Sequence, residues 1–270
     1  MSDTIAILTG ASRGTGAAMA RGLAKPGTRL ITLARREDPE LAAYAQSRDV
    51  QLEQLSVDLS DLKAAEASAE RICAALPRDA KRYLLINNAG TVHPVAGTDA
   101  LIDSAAITAA FNLNVTAVML LTARFLAAVE GLNADRRVLN ISSGAGRNPN
   151  AGWGVYCATK AALDMYTRVV KQEQGADGAR IVALAPGIVD TDMQVAIRSS
   201  DPDSFPALAK FQDFHATGKL ASPANVAPPP RGHPLPPRQC GRPHPCLPGS
   251  RRFRHDRHRR HPQLRLIPLP

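Results

Sequence analysis

Near the amino terminus the apolar run Ile5-Ala6-Ile7-Leu8 leads straight into Thr9-Gly10-Ala11-Ser12-Arg13-Gly14-Thr15-Gly16, a glycine-rich turn that opens a helix. A strand that feeds a helix through so short a turn points to a layered α/β arrangement, and the next 200 or so residues repeat the alternation. Strand signals fall at 4–8, 29–34, 51–57, 82–86, 137–141 and 180–184, with helical runs at 16–24, 64–76, 105–130 and 156–174. This is the pattern of a doubly wound parallel sheet.

Four polar residues stand out against that frame. Tyr156 and Lys160 are four apart in a helical segment, which puts both side chains on one face. Ser143 lies 13 residues upstream at the end of a strand-like run, and Asn114 sits further back on a long helical stretch. Alternation along a strand sends Ser142 and Ser143 to opposite faces, so only one of the two can meet Tyr156. A Tyr/Lys pair alone would be an ordinary helix surface. Together with the glycine turn, in this order, the residues resemble the short-chain dehydrogenase/reductase family.

That resemblance implies a single Rossmann-type α/β domain with strand order 3-2-1-4-5-6. It favours Ser143 over Ser142 and implies catalytic roles for Asn114, Ser143, Tyr156 and Lys160. A carbonyl that receives hydride needs a proton donor, and a tyrosine of pKa about 10 donates reluctantly near neutrality. Lys160 beside the phenol is expected to lower that pKa. The resemblance further implies that Ser143 holds the carbonyl oxygen, and that Asn114 orders a water relaying protons to Lys160.

The cofactor follows from the same comparison. Gly10, Gly14 and Gly16, with Ser12, Arg13 and Thr15 between them, would bring backbone N–H groups against a pyrophosphate. Thr15 stands where the family more often has an aliphatic residue. An enzyme that uses NAD usually carries an acid at the end of strand two. Here Ala34 is followed by Arg35 and Arg36, so with Arg13 two or three guanidinium groups can surround a 2'-phosphate, and NADP(H) is expected. Asp58 and Leu59 resemble the adenine contact, and Asn88, Ala89 and Gly90 the wall beside the ribose. Pro186, Gly187, Ile188 and Thr191 resemble the nicotinamide clamp. The Asn-Asn-Ala-Gly run also reads as a turn that stabilises the sheet, and both readings can hold.

Trp153, three residues before Tyr156, and the segment around Met193 resemble sepiapterin reductases and bacterial benzil reductases. Trp153 and Met193, with Ser143 and Tyr156, are the expected substrate contacts. Phe205, Phe211 and Phe214 either line a pocket for a flat ring or pack the lid helices. No acidic residue near the carboxyl end matches the one with which sepiapterin reductases grip a pterin. An aromatic ketone or vicinal diketone is therefore the expected small-molecule substrate.

The carboxyl end breaks the pattern. Residues 227–270 hold ten of the 33 basic residues and one of the 24 acidic ones, leaving 23 of each in 1–226, so the whole net charge of +9 sits in the tail. Twelve of the 21 prolines and five of the seven histidines are there too. Such a segment cannot make a regular helix or a central strand. Four readings compete for it: a nucleic-acid-binding arm, a zinc site from Cys240, His244, Cys246 and His255, a disordered extension and a shifted reading frame. The first lacks lysines and has one aromatic residue, Phe253; the second lacks a paired ligand framework. The abrupt change near Val226 and the Arg/Pro/His bias of GC-rich coding sequence read out of frame favour the last. The expected division is thus a domain at 1–226, without its last helix and strand, and a disordered tail at 227–270.

No uninterrupted apolar run of about 18 residues suggests a membrane span, and no basic leader precedes the first strand. Cys73, Cys157, Cys240 and Cys246 are too scattered for a disulfide framework, which favours a reducing cytoplasm. Neither metal, membrane nor nucleic acid is expected as a partner, whereas an intact carboxyl end would go with a homodimer or homotetramer. Two readings stay open: an active NADPH-dependent carbonyl reductase, or a damaged, non-catalytic relative that binds NADPH weakly or not at all.

Overall fold

The structure, a computed structural model, describes residues 2–202 and 204–226. Six parallel strands form one sheet: β1 (Thr4–Thr9), β2 (Thr28–Ala34), β3 (Gln51–Ser56), β4 (Arg82–Asn87), β5 (Asp135–Ile141) and β6 (Arg180–Leu184). Their order is β3-β2-β1-β4-β5-β6, as expected. Chain order reverses between β1 and β4, which opens a crevice at the carboxyl ends of these two strands.

Helices cover both faces. α1 (Gly14–Leu23) and α2 (Pro39–Gln46) lie on one, where Met19, Ala20, Leu41 and Ala45 pack on Ala6, Leu8, Leu30 and Ile86. The other face carries α3 (Leu62–Ala74), then the long helix made of α4 (Ser104–Phe111) and α5 (Ala117–Val129), and then α6 (Gly154–Gln174). There Ile72, Leu121, Phe125 and Val170 bury Ile5, Ile7, Leu85, Val138 and Ile181. Three short helices end the described chain: α7 (Asp192–Arg198), α8 (Leu208–Ala216) and α9 (Pro223–Val226).

Two features depart from the sequence reading. No helix was expected between β2 and β3, yet α2 forms there. Asp38 caps it, accepting from Glu40 N at 3.0 Å and Leu41 N at 3.1 Å, and Pro39 fills a position where a missing N–H costs nothing. The helical run at 105–130 is also not uniform. Asn112–Thr116 is a π-helical turn, which shifts the facing of every later side chain and sends Asn114 inward. Over Ser104–Val129 this helix is long and apolar enough, by length and composition, to cross a membrane, with a mean hydropathy of 1.6. Here Ala117, Leu121, Phe125 and Val129 bury one of its faces in the sheet core.

The far edge of the sheet is barer. β6 pairs with β5 alone among the described residues, and only Ile181 of its five residues is buried. Val182 and Leu184 point to the α1 side, where Leu139 and Ile141 beside them are already half-exposed. The expected loss of a last helix and strand, the disordered tail and the zinc and nucleic-acid readings all concern residues 227–270 and lie outside the described residues. At the opposite ends of the strands, Asp135 ties β4, β5 and β6 together: Arg82 Nε and Arg137 Nη2 stand 2.8 Å from its carboxylate and Arg180 Nη2 2.6 Å.

Candidate active site

The carboxyl end of β5 meets the first three turns of α6. The Ser143 hydroxyl lies beside the Tyr156 phenol and acts on its proton. Lys160 Nζ donates to Ile141 O at 2.8 Å and stands 5.8 Å from the centre of the Tyr156 ring. Ser142 faces away, as alternation requires, and its hydroxyl donates to Asp164. The choice between the two serines is thereby made by the strand itself. Gly146, after the strand, lets the chain pass close to α6, since a Cβ there would fall 2.8 Å from Lys160 C.

Burial dominates the electrostatics of this pair. It pushes the Tyr156 phenol up; the Ser143 hydroxyl opposes the shift and the neighbouring Cys157 adds to it. The expectation that Lys160 draws this phenol down is not met: burial sets the direction of the shift. Burial pulls Lys160 down to about 8, with Asp164 acting in the opposite direction.

Asn114 is fully buried in the π turn. Its Nδ2 donates to Thr91 O at 2.8 Å and Thr159 Oγ1 at 3.0 Å, and its Oδ1 accepts from Thr91 N at 2.9 Å. Both side-chain N–H groups are therefore committed to joining the loop after β4 to α6. A Cβ on Gly90 would lie 3.1 Å from Asn114 Oδ1 and 3.7 Å from Lys160 Nζ, so the bare Gly90 backbone is the wall between them.

The glycine turn sits beside that wall. At Gly16 a Cβ would fall 1.9 Å from Gly10 O, a clash with backbone that no rotamer relieves, and Gly10 has φ of +70°. Asn88 straps the turn in place. Its Nδ2 donates to Thr9 O at 3.0 Å and Gly10 O at 3.1 Å, while Thr9 Oγ1 accepts from Asn88 N and Ala89 N, both at 2.9 Å. Thr9 escaped the sequence reading, although its place just before Gly10 was visible. Asn87 bonds inward to Thr122 and Asn140, so within the Asn-Asn-Ala-Gly run one residue serves the sheet and the next the turn.

α1 starts at Arg13 with no side-chain cap, which leaves the N–H groups of Gly14, Thr15 and Gly16 facing the crevice. Ser12, Arg13 and Gly14 line a groove of about 1160 Å³ that runs on to Ser222 and Asn225. Arg13 Nη1 pairs with Asp192 at 3.1 Å, but both groups are about two-thirds exposed, and such a bond is exchanged at little cost. Arg35 and Arg36, after the end of β2, are exposed and make no ion pair among the described residues. Asp58, just past β3, accepts from the Ser60 hydroxyl at 2.7 Å and Ser60 N at 2.9 Å. These bonds, with Arg35 nearby, hold its carboxyl below the usual range against the opposing effect of burial. Leu59 is buried in the core beneath it. A dinucleotide phosphate fits this set: a cradle that excludes any Cβ, an uncapped helix start, and cations with no competing acid on Ala34.

After β6 the segment from Pro186 through Gly187 to Thr191 is pinned by Ala221, which donates to Ile188 O and accepts from Asp190 N, each at 2.9 Å. Thr191 begins α7 and closes on the turn, its Cγ2 3.1 Å from a Cβ placed on Gly14. The structure thus brings the glycine turn, residues 88–90, the Ser143/Tyr156/Lys160/Asn114 group and residues 186–191 to one end of the sheet.

Trp153 stacks on Phe205 with centroids 4.9 Å apart and meets Tyr156 edge-on at 5.6 Å. Phe205 and Phe211 are buried, and with Leu208 and Ile197 they form the core under α7 and α8. The two phenylalanines therefore pack the lid; Met193 and Phe214 are half-buried at its rim. Trp153 Nε1 is buried and has no hydrogen-bond partner among the described residues.

The sequence pattern described as short chain dehydrogenase matches residues 4–202. A benzil reductase ((S)-benzoin forming) from Bacillus cereus is 39% identical over 224 residues, spanning 82% of this chain and 90% of its own. Mouse (Mus musculus) sepiapterin reductase is 36% identical over 233 residues, covering 80% and 85%. A crystal structure of a short chain dehydrogenase from Burkholderia cenocepacia in complex with NADP superimposes with a TM-score of 0.66 at 25% identity, over 83% of this chain and 87% of that one.

Proposed function

The chain belongs to the short-chain dehydrogenase family, and from that premise we propose that it is an NADPH-dependent carbonyl reductase acting on an aromatic ketone or vicinal diketone. The observation that carries this reading is the placement of Ser143 beside the Tyr156 phenol with the Lys160 ammonium 5.8 Å from the same ring, at the crevice end of the sheet. Ser12, Gly14, Thr15 and Gly16 would hold the pyrophosphate, and Asp58, Leu59 and Asn88 to Gly90 the adenosine. Pro186 to Ile188 with Thr191 would hold the nicotinamide, and Arg35 and Arg36, joined by Arg13 once it leaves Asp192, the 2'-phosphate. When bound, the cofactor supplies hydride to the carbonyl carbon. NADPH over NADH rests on Ala34 followed by two arginines, and on an NADP-bound structure among the similar proteins.

The remaining work falls to the chain. Ser143 donates to the substrate oxygen and keeps it beside Tyr156. Tyr156 Oη gives up its proton as charge grows on that oxygen, a transfer that burial alone would hinder and that the Lys160 charge assists in the transition state. Lys160 then returns a proton to the phenolate and regains one from solvent, while Asn114 fixes Thr91, next to the Gly90 backbone beside the ammonium. Trp153, edge-on to Tyr156, and Met193 are the proposed substrate contacts. Benzil and sepiapterin, named for two relatives, are the first substrates to try.

Tyr156→Phe removes the proton donor alone. Benzil reduction with NADPH should fall by at least about 100-fold while NADPH fluorescence on binding is retained. Comparable turnover in the variant would end the assignment. Replacing Arg35 and Arg36 by glutamine should raise KM for NADPH far more than for NADH; an equal effect on both would make the arginines structural. The non-catalytic reading has one observation in its favour, the exposed Val182 and Leu184 on β6. It predicts that no ketone is reduced and that NADPH gives no saturable binding signal.

A further inference from the structure

Tyr156, Lys160 and Asp164 follow one another at intervals of four along α6, stacked on a single face. Opposite them, three successive residues at the end of β5 each make one contact: Ile141 O with Lys160 Nζ at 2.8 Å, Ser142 Oγ with Asp164 Oδ1 at 2.5 Å, and Ser143 with Tyr156. The middle contact has no part in the reaction described above. Ser142 is 4% exposed and the Asp164 side chain 16%, so the bond is an interior one. On its outer side Asp164 pairs, among the described residues, with Arg147 Nε, 3.9 Å away on the turn after β5, whose side chain is 62% exposed. The other groups near Lys160 are neutral: the Tyr156 phenol on α6, Ser143 and the Ile141 carbonyl at β5, Asn114 from the π turn and the Gly90 backbone. Asp164 supplies the negative charge that opposes desolvation of the ammonium.

We propose that Ser142 and Asp164 are a positioning pair: their bond sets the register of α6 against the end of β5, and the Asp164 carboxylate holds the charge on Lys160. The pair acts through Lys160 and Tyr156 and touches neither substrate nor cofactor. Its kinetic consequence rests on the reductase reading; its effect on Lys160 does not.

Two substitutions separate the two roles. Asp164→Asn keeps the shape and a partner for the Ser142 hydroxyl but removes the charge. Followed by NMR of the lysine side chains, the Lys160 titration, near pH 8 in the unaltered protein, should move down by about one pH unit. The basic limb of kcat against pH for benzil should move with it. Ser142→Ala keeps the charge and loses the bond; kcat should fall about tenfold or more, with the Lys160 midpoint and KM for NADPH unchanged. Should Asp164→Asn fail to fold, the exposed Arg147→Gln serves in its place: by removing the cation that competes for Asp164, it should move the Lys160 midpoint up. A midpoint that moves in neither charge variant overturns the electrostatic role, and an unchanged kcat in Ser142→Ala overturns the register role. Were the unaltered protein to reduce no ketone while the midpoint moved as stated, the reductase reading would fall and the charge coupling would stand.

Discussion

β1 and β6 are both short parallel strands of mainly apolar sequence, and they end in opposite environments. All six residues of β1 are buried, whereas in β6 only Ile181 is. The difference lies in what surrounds them. β1 has a strand on either side and helices above and below, while β6 has β5 on one side and, among the described residues, a helix on one face only. Apolar sequence marks a strand that can be buried, and its neighbours decide whether it is.

That contrast can be broken or sharpened by substitution. Ile7→Ala, in the centre of β1, should cost about 2–5 kcal/mol of unfolding free energy in a urea titration, because the cavity cannot collapse between two packed layers. A loss under about 1 kcal/mol would mean that β1 is not the rigid centre of the domain. Asp135→Asn should cost less, about 1–3 kcal/mol at pH 7, by releasing three arginines that join β4, β5 and β6. Burial alone would raise the Asp135 pKa, but bonds from Arg137, Arg180 and Arg82 together pull it well below the carboxylate range. The stabilisation is then fully present above the unfolded value of about 4 and is lost as the pH falls further, so the variant and the unaltered protein should converge in acid. The smallest effect is expected at the edge. Val182→Thr with Leu184→Thr should change stability by no more than about 0.5 kcal/mol and raise solubility, read as the light-scattering onset on heating. A large destabilisation there would show that these side chains are covered.

Much of this architecture was legible in the sequence. β1, β2, β4 and β6 are legible because each is a mainly apolar run closed by turn residues, β3 (Gln51–Ser56) is the weakest such signal, and the strand order follows from chirality and family likeness. α2 was missed because it is short and buries only Leu41 and Ala45, so its periodicity is faint; the Asp38-Pro39-Glu40 start was the available signal. A π turn leaves no mark in composition, hence the inward aim of Asn114 was known only by analogy. Alternation puts Ser142 and Ser143 on opposite faces and family likeness picks Ser143, but nothing local shows that Ser142 has a partner in Asp164, though the spacing of 156, 160 and 164 puts that carboxylate on the right face. A neighbouring charge is legible in the sequence and the burial of Tyr156 is not, which is why its shift runs opposite to the expected direction. With Phe205 and Phe211, spacing alone could not tell a pocket wall from the inside of a lid.

The strap between Thr9 and Asn88 bears on how this domain can be re-engineered. The glycine turn and the loop after β4 are 79 residues apart in the chain, yet each supplies hydrogen-bond partners to the other's backbone. They are therefore one transplantable part in two pieces. A chimera that grafts a foreign glycine turn to change cofactor preference would have to carry the matching Asn88 segment with it. Arg35 and Arg36, outside the strap, can be exchanged without touching it.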